Sequence, residues 1–189
     1  MVGVDEVGRG CLAGPILVVA ARQTATLPEG IRDSKLLSRR QREAILERLT
    51  SNVEFGEGWV KAAEIDNLGV ASALRLGVKR ALSALTADIR EVIIMDGKVN
   101  YLPKRFRGGV CMVDADNLLP IVSAASIYAK VTRDNFMVKL AQKYPEYSFE
   151  SHVGYGTKIH LQALDAHGVI KMVHRTSYEP IADLLVAGS

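Results

Sequence analysis

The 189-residue chain has only two cysteines, Cys11 and Cys111. That is too few for a disulfide scaffold or a cysteine-ligated zinc site, so a reducing compartment is the default. Long hydrophobic runs are also missing. The longest, Cys11 to Ala21, is interrupted by Gly14 and Pro15 and reaches about half the ~20 residues of a membrane span. Met1 leads directly to Asp5 and Glu6, which is not the pattern of a secretory leader; a cytoplasmic protein with no membrane partner is expected. No strong charge bias exists either: 24 basic residues against 21 acidic ones leave a formal +3. So mild a surplus is no evidence by itself of a polyanionic partner. The 48% hydrophobic and 24% charged content excludes a disordered chain, a collagen and a coiled coil. The length is that of one domain, and neither repeat nor linker divides residues 1–189.

What is present reads as strands first, then strands alternating with helices. Residues 2–6 and 15–22 form two apolar runs around the turn Gly8-Arg9-Gly10, which predicts an antiparallel pair. Ser38 is placed to cap a helix running to about Thr50, with Ile45, Leu46 and Leu49 as its buried stripe. Alternation of Val53, Phe55 and Trp59 predicts a third strand over 53–60. A helical pattern runs from Ala62 to about Leu85, with a break at Leu68-Gly69. Short apolar runs at 91–95 and 110–114 predict buried strands. A long helix is expected from Pro120 to about Lys143, another over 158–167, and a last one after Pro180. The class is α/β with a mixed sheet.

Two sets of residues carry chemistry. Asp5, Glu6, Asp96 and Asp116 stand at the ends of apolar strands, where a carboxylate is costly unless it meets water, a donor or a cation. Brought to one sheet edge, they would repel and call for a cation between them. Hard oxygen ligands suit Mg²⁺ or Mn²⁺ rather than zinc. The second set is basic: Lys98, Lys104, Arg105 and Arg107 cluster with Tyr101 and Phe106, in a stretch from 97 to 113 without an acid. Ser126, Lys130 and Arg133 recur on one face of the long helix. Beside an acidic metal site, such groups would grip a polyanion. Small residues Ser123, Ala124 and Ala125 predict close packing of that helix on the sheet. The four histidines, 152, 160, 167 and 174, lack metal-site spacing and are expected at the surface, at caps or against substrate.

Several blocks together resemble the ribonuclease HII family. They are Gly3-Val4-Asp5-Glu6-Val7-Gly8-Arg9-Gly10, Asp33-Ser34-Lys35-Leu36-Leu37-Ser38, Met95-Asp96-Gly97-Lys98, residues 123–134 (SAASIYAKVTRD), residues 151–157 (SHVGYGT) and His174-Arg175-Thr176-Ser177-Tyr178. They run in the family's order from residue 3 to 178. The resemblance implies a ribonuclease H-like mixed sheet flanked by helices, with a small helical, substrate-contacting C-terminal part from about residue 144. It implies an endoribonuclease that cuts 5′ to ribonucleotides in RNA–DNA hybrids or in duplex DNA with embedded ribonucleotides, leaving 5′-phosphate and 3′-hydroxyl ends. Catalysis would use two Mg²⁺ or Mn²⁺ ions held by Asp5, Glu6, Asp96 and Asp116. Gly8, Arg9 and Gly10 would read the ribose 2′-hydroxyl, and Tyr155 would stack on the neighbouring deoxyribose. Lys35, Ser126 and Lys130 are further candidates for phosphate contacts, and a monomer is expected. With the first block opening at residue 3, no extra N-terminal domain is expected, which disfavours the related ribonuclease HIII.

One departure stands out. Where family members commonly have Lys-Gly-Asp, this chain reads Asp114-Ala115-Asp116, and a continuing strand would point 114 and 116 the same way. Asp5 and Glu6 are consecutive and face opposite sides of a straight strand, so both reach one site only through a bend or through the Glu6 carbonyl. Three rival readings remain: a ribonuclease H-like DNA nuclease of the junction-resolvase type, a non-catalytic nucleic-acid-binding domain, and a small-molecule Mg²⁺ phosphatase. The resolvase has no use for Gly8-Arg9-Gly10 with Tyr155. The binding domain should have lost a carboxylate. The phosphatase has no need of the basic stretch 98–107.

Overall fold

A computed structural model describes residues 1–28, 30, 31 and 37–187. Its centre is a five-stranded sheet of order β3-β2-β1-β4-β5. β1 (Val2–Val7) pairs antiparallel with β2 (Ile16–Gln23), and β2 with β3 (Val53–Val60). On its other side β1 lies parallel to β4 (Ile93–Asp96), which lies parallel to β5 (Val110–Met112). The sheet is therefore mixed, and the parallel half puts the C-terminal ends of β1 and β4 side by side.

Helices cover both faces. α1 (Arg39–Leu49) starts at Ser38, whose hydroxyl accepts the Gln41 N–H in a capping box. Its buried stripe is narrower than the sequence pattern: Leu49 is buried, while Ile45 and Leu46 are only partly covered. α2 (Ala62–Leu68) and α3 (Val70–Ala84) are separated at Gly69, as the pattern predicts. α3 packs on one face over Val4, Val18, Val60 and Met95. On the other face α5 (Pro120–Lys143), entered through the short α4 (Ala115–Leu118), packs over Leu17, Val19 and Ile94. Burying each such aliphatic side chain is worth about 1.5–3 kcal/mol, so both helices are fixed in place by the sheet.

The N-terminal turns of α5 come unusually close to β1. A Cβ on Gly3 would stand 2.7 Å from the Ile121 carbonyl carbon and the Val122 nitrogen, so no side chain fits there. Ser123, Ala124 and Ala125 are buried in the same contact, as their small size predicts. The approach sets Ser126 over Asp5.

The C-terminal part builds its own apolar cluster around the second half of α5. A 3₁₀ turn (Pro145–Tyr147), α6 (Phe149–His152), α7 (Lys158–His167) and α8 (Glu179–Ala187) follow α5. Tyr147, Phe149, Leu164 and Ile181 pack with Leu12, Ala13 and Met137. Among the described residues, no helix is long and apolar enough to cross a membrane.

Candidate active site

β1 and β4 bring two carboxylates together. Their parallel register sets Val4 opposite Met95, so Asp5 and Asp96, one residue further on, are neighbours. Asp5 pairs with Val19 of β2, and Val19 belongs to the cluster under α5; Asp5 thus faces α5. It is 8% exposed. Burial is the largest cause pushing its carboxyl up to about 8; the charge of Glu6 is next, and Asp96 adds to it. The Ser126 hydroxyl and the Glu6 N–H, 2.7 Å from Asp5 Oδ1, pull the other way. Glu6 is also raised, by burial above all and by Asp96, with Arg9 opposing. The antiparallel ladder continues unbroken to Val7↔Leu17. No bulge therefore interrupts the strand at Glu6, and the two side chains start from opposite faces.

Asp96 Oδ1 accepts the Ala115 N–H at 2.8 Å, which ties β4 to the start of α4. Asp116, one residue further, is buried, and its carbonyl accepts the Ser123 hydroxyl. The structure therefore couples Asp5, Glu6 and Asp96 electrically and sets Asp116 next to the Asp96 anchor. Among the described residues, no three acidic, His or Cys side chains stand in a finished metal-ligating arrangement. A cation is still what this donor set fits: hard oxygens, two buried, repelling each other at one sheet end.

Asp114 departs from the sequence expectation. β5 stops at Met112; Asp114 is exposed, has φ 57°, and precedes α4. A turn and a helix start intervene, so strand alternation does not relate 114 to 116. Aspartate tolerates this left-handed backbone better than most residues.

The turn after β1 is held from beneath. Gly8 has φ +86°, and a Cβ there would lie 2.2 Å from Arg133 Nε; only glycine fits. Gly10 differs, since an added Cβ meets nothing within 4 Å. Arg133, expected to face a polyanion, is fully buried. It donates to the carbonyls of Pro15 (2.8 Å), Val153 (2.9 Å) and Ala13 (3.2 Å), and a cation spent on internal carbonyls cannot grip substrate. Arg175 is equally buried and donates to the carbonyls of Gly8, Arg9 and Gly14. Nothing in residue type distinguished these arginines from surface ones; their place inside the matched blocks was the available signal.

Tyr155 is 40% exposed. Its loop is sewn to the turn by Leu12 N–H to Gly154 O at 2.8 Å and Ala13 N–H to Gly154 O at 3.2 Å. Burial, then the facing Cys11 thiol, raises its phenol, which also senses Asp134. Asp134 accepts Lys130 Nζ at 3.0 Å. One face of α5 therefore runs from Ser126 at Asp5 to Asp134 at Tyr155, eight residues or about 12 Å.

Three histidines are not where they were expected. His152, His160 and His174 are buried, while His167 is exposed. Ile170 N–H donates to His174 Nδ1 at 2.8 Å, so His174 carries its proton on Nε2, 3.1 Å from His160 Nε2. His160 in turn donates from Nδ1 to the Tyr155 carbonyl at 2.9 Å. The chain is self-consistent with both rings neutral. Burial pushes both down to about 4.

In the basic stretch, Lys98, Lys104, Arg105 and Arg107 are exposed, but Tyr101 and Phe106 belong to the core under Arg75 and Arg105; they do not stack on a ligand. Lys35 lies outside the described residues.

The family model described as Ribonuclease HII matches residues 2–180. A ribonuclease HII of Shewanella loihica is 40% identical over 187 residues, 98% of this chain and 89% of the relative. One of Thermotoga maritima is 40% identical, covering 97% of this chain and 74% of the relative. Among solved structures, the ribonuclease H2 of Pyrococcus horikoshii matches with TM-score 0.75 and 28% identity, over 98% of this chain and 97% of that one. With its mixed sheet between helices and its acidic strand ends, the chain belongs to the ribonuclease HII family, whose members are endonucleases of the ribonuclease H type.

Proposed function

We propose that this endonuclease hydrolyses the phosphodiester 5′ to a ribonucleotide, in an RNA–DNA hybrid or in duplex DNA with an embedded ribonucleotide. The observation that carries the reading is one continuous surface. The coupled carboxylates Asp5, Glu6 and Asp96 adjoin the exposed Arg9-Gly10 turn, which is sewn to the Tyr155 loop. Asp5, Asp96 and Asp116, with Glu6 through its carboxylate or carbonyl, would hold two Mg²⁺ or Mn²⁺ ions. Such ions supply an activated water and charge stabilisation for the leaving oxygen.

The chain's own residues do the rest. Ser126 orients Asp5. The open space over Gly10 lets a sugar–phosphate backbone approach, and backbone groups of residues 8–10 meet the 2′-hydroxyl, the group that separates RNA from DNA. Tyr155 stacks on the next sugar. Ser126 and Lys130 line the face of α5 between them, and the exposed cations of 98–107 attract the duplex without reading its sequence. The protein works as a single monomeric domain in the cytoplasm, its part from about residue 144 supplying Tyr155.

The test is cleavage of matched duplexes carrying no, one or four ribonucleotides, with Mg²⁺ and Mn²⁺ supplied separately. Cutting at the 5′ side of the ribonucleotide, with the all-DNA duplex intact, is expected. Equal cutting of the all-DNA duplex would favour a DNA nuclease instead.

A further inference from the structure

The two buried guanidiniums, Arg133 and Arg175, gather carbonyls from one short stretch: Gly8, Arg9, Ala13, Gly14 and Pro15. For Arg175 the consequence is directional. Its Nη2 lies 2.7 Å from the Gly8 carbonyl oxygen and its Nη1 2.9 Å from that of Arg9. Tyr178 donates its hydroxyl to the same Arg9 oxygen at 2.7 Å and bonds Arg175 at 3.0 Å. In a planar trans peptide, C=O and the following N–H point in opposite directions. With the Gly8 and Arg9 carbonyls drawn inward, the N–H groups of Arg9 and Gly10 are turned outward, where both residues are exposed. Two successive outward amides form a small concavity that binds oxygen atoms carrying negative charge or lone pairs.

We propose that Arg175, braced by Tyr178, is the positioning residue that aims the Arg9 and Gly10 amides at the substrate sugar and thereby sets the preference for a ribonucleotide. It touches no substrate itself. A planar fork with five donors can serve three carbonyls at fixed angles, which a lysine ammonium on a flexible stem cannot. Its own segment is anchored independently. Asp66 of α2 accepts four bonds, from the N–H groups of Thr176 and Ser177 and from their hydroxyls, at 2.7–3.0 Å. On the opposite side, Arg175 N–H donates to Leu12 O at 2.8 Å, and Gly14 N–H to Val173 O at 2.9 Å. The inference rests on the reading above that residues 8–10 meet the sugar.

The test measures affinities without divalent metal, so that no strand is cut. Each protein is titrated with a DNA duplex bearing one ribonucleotide and with the matching all-DNA duplex. In Arg175→Lys the preference for the ribonucleotide duplex should fall about tenfold, the size of one or two misaligned hydrogen bonds. Affinity for the all-DNA duplex should stay within about twofold, since phosphate contacts carry it. Asp66→Ala, a surface change that frees the anchored segment, should lower the preference in the same direction by less, and it decides the matter if Arg175→Lys does not fold. A preference kept at the wild-type value in the folded variant, or both affinities falling together, would overturn the positioning role. A wild-type protein without preference would instead overturn the functional reading beneath it.

Discussion

His174 Nε2 stands 3.1 Å from His160 Nε2, with neither ring open to solvent. One proton serves the pair, and the second His160 nitrogen holds the Tyr155 carbonyl at 2.9 Å. His152 stacks on His160 with centroids 4.4 Å apart, and Tyr147 and Phe149 close the surroundings. A proton added to either ring of the pair would set two donors face to face.

The first prediction follows from that geometry. Unfolded histidine titrates near 6.5, while burial holds both rings down to about 4 in the folded protein. Between those values the unfolded state binds the extra protons, so the stability the pair contributes is complete above about pH 6.5. It is lost as pH falls toward 4. Chemical denaturation of wild type and His174→Gln at several pH values measures it. The difference between the two proteins should shrink as pH falls through that window; a constant difference would contradict the neutral relay.

Replacing Asp5, Asp96 or Asp116 by Asn removes charge at constant size. Cleavage in single turnover should fall by orders of magnitude, while duplex affinity persists because it rests on phosphate contacts. For Asp5→Asn a second outcome is expected. Without divalent cation the variant should melt higher than wild type, because the cost of burying the Asp5 carboxylate is removed first of all, and with it the repulsion from Glu6 and Asp96, with about 2–4 °C for each kcal/mol. Added Mg²⁺ should close that gap. Near-normal cleavage by any of the three removes it from the site.

Much of this was legible in the sequence, and the failures share a cause. The long helix over 120–143 and the strand pair around Gly8-Arg9-Gly10 could be read because apolar period and turn residues are local signals. Burial of polar side chains is not local. Arg133 looked like a substrate-facing cation, and Tyr101 and Phe106 like members of one basic surface cluster, until carbonyls from residues 13–15 and the α3 core were folded against them. The histidine pair depends on α7 meeting the 170–174 turn, which no spacing announces. The pairing of Asp5 with Asp96 needed the parallel β1–β4 register, fixed by a crossover of more than eighty residues.

Tyr155→Ala should cost about 1–3 kcal/mol in binding, by analogy with aromatic–base stacking. The ring is partly exposed and its loop is held by backbone bonds, so melting should hardly change. Competition binding against the wild type, with a melting curve beside it, checks both. An unchanged affinity would place the substrate elsewhere.

Asp114→Lys tests the one departure from the family pattern. Asp114 is exposed at a left-handed turn and is not aligned with Asp116 by strand alternation, so screening by water and salt should mute its field at the acidic site. The metal concentration for half-maximal cleavage should move less than about twofold at physiological salt. The lysine should lose a few tenths of a kcal/mol in stability, being less suited to φ 57°. A strong loss of activity with intact binding would instead make Asp114 a ligand.

The most direct measurement is the chemistry of the cut ends on a duplex with a single ribonucleotide, labelled at either end and cleaved in Mg²⁺. Water as nucleophile at the carboxylate site leaves a 3′-hydroxyl that a polymerase extends without further treatment, and a 5′-phosphate on the ribonucleotide. A 2′,3′-cyclic phosphate on the ribonucleotide, with a 5′-hydroxyl on the next nucleotide, would mean that the 2′-hydroxyl had attacked, and would contradict a mechanism built on Asp5, Asp96 and Asp116.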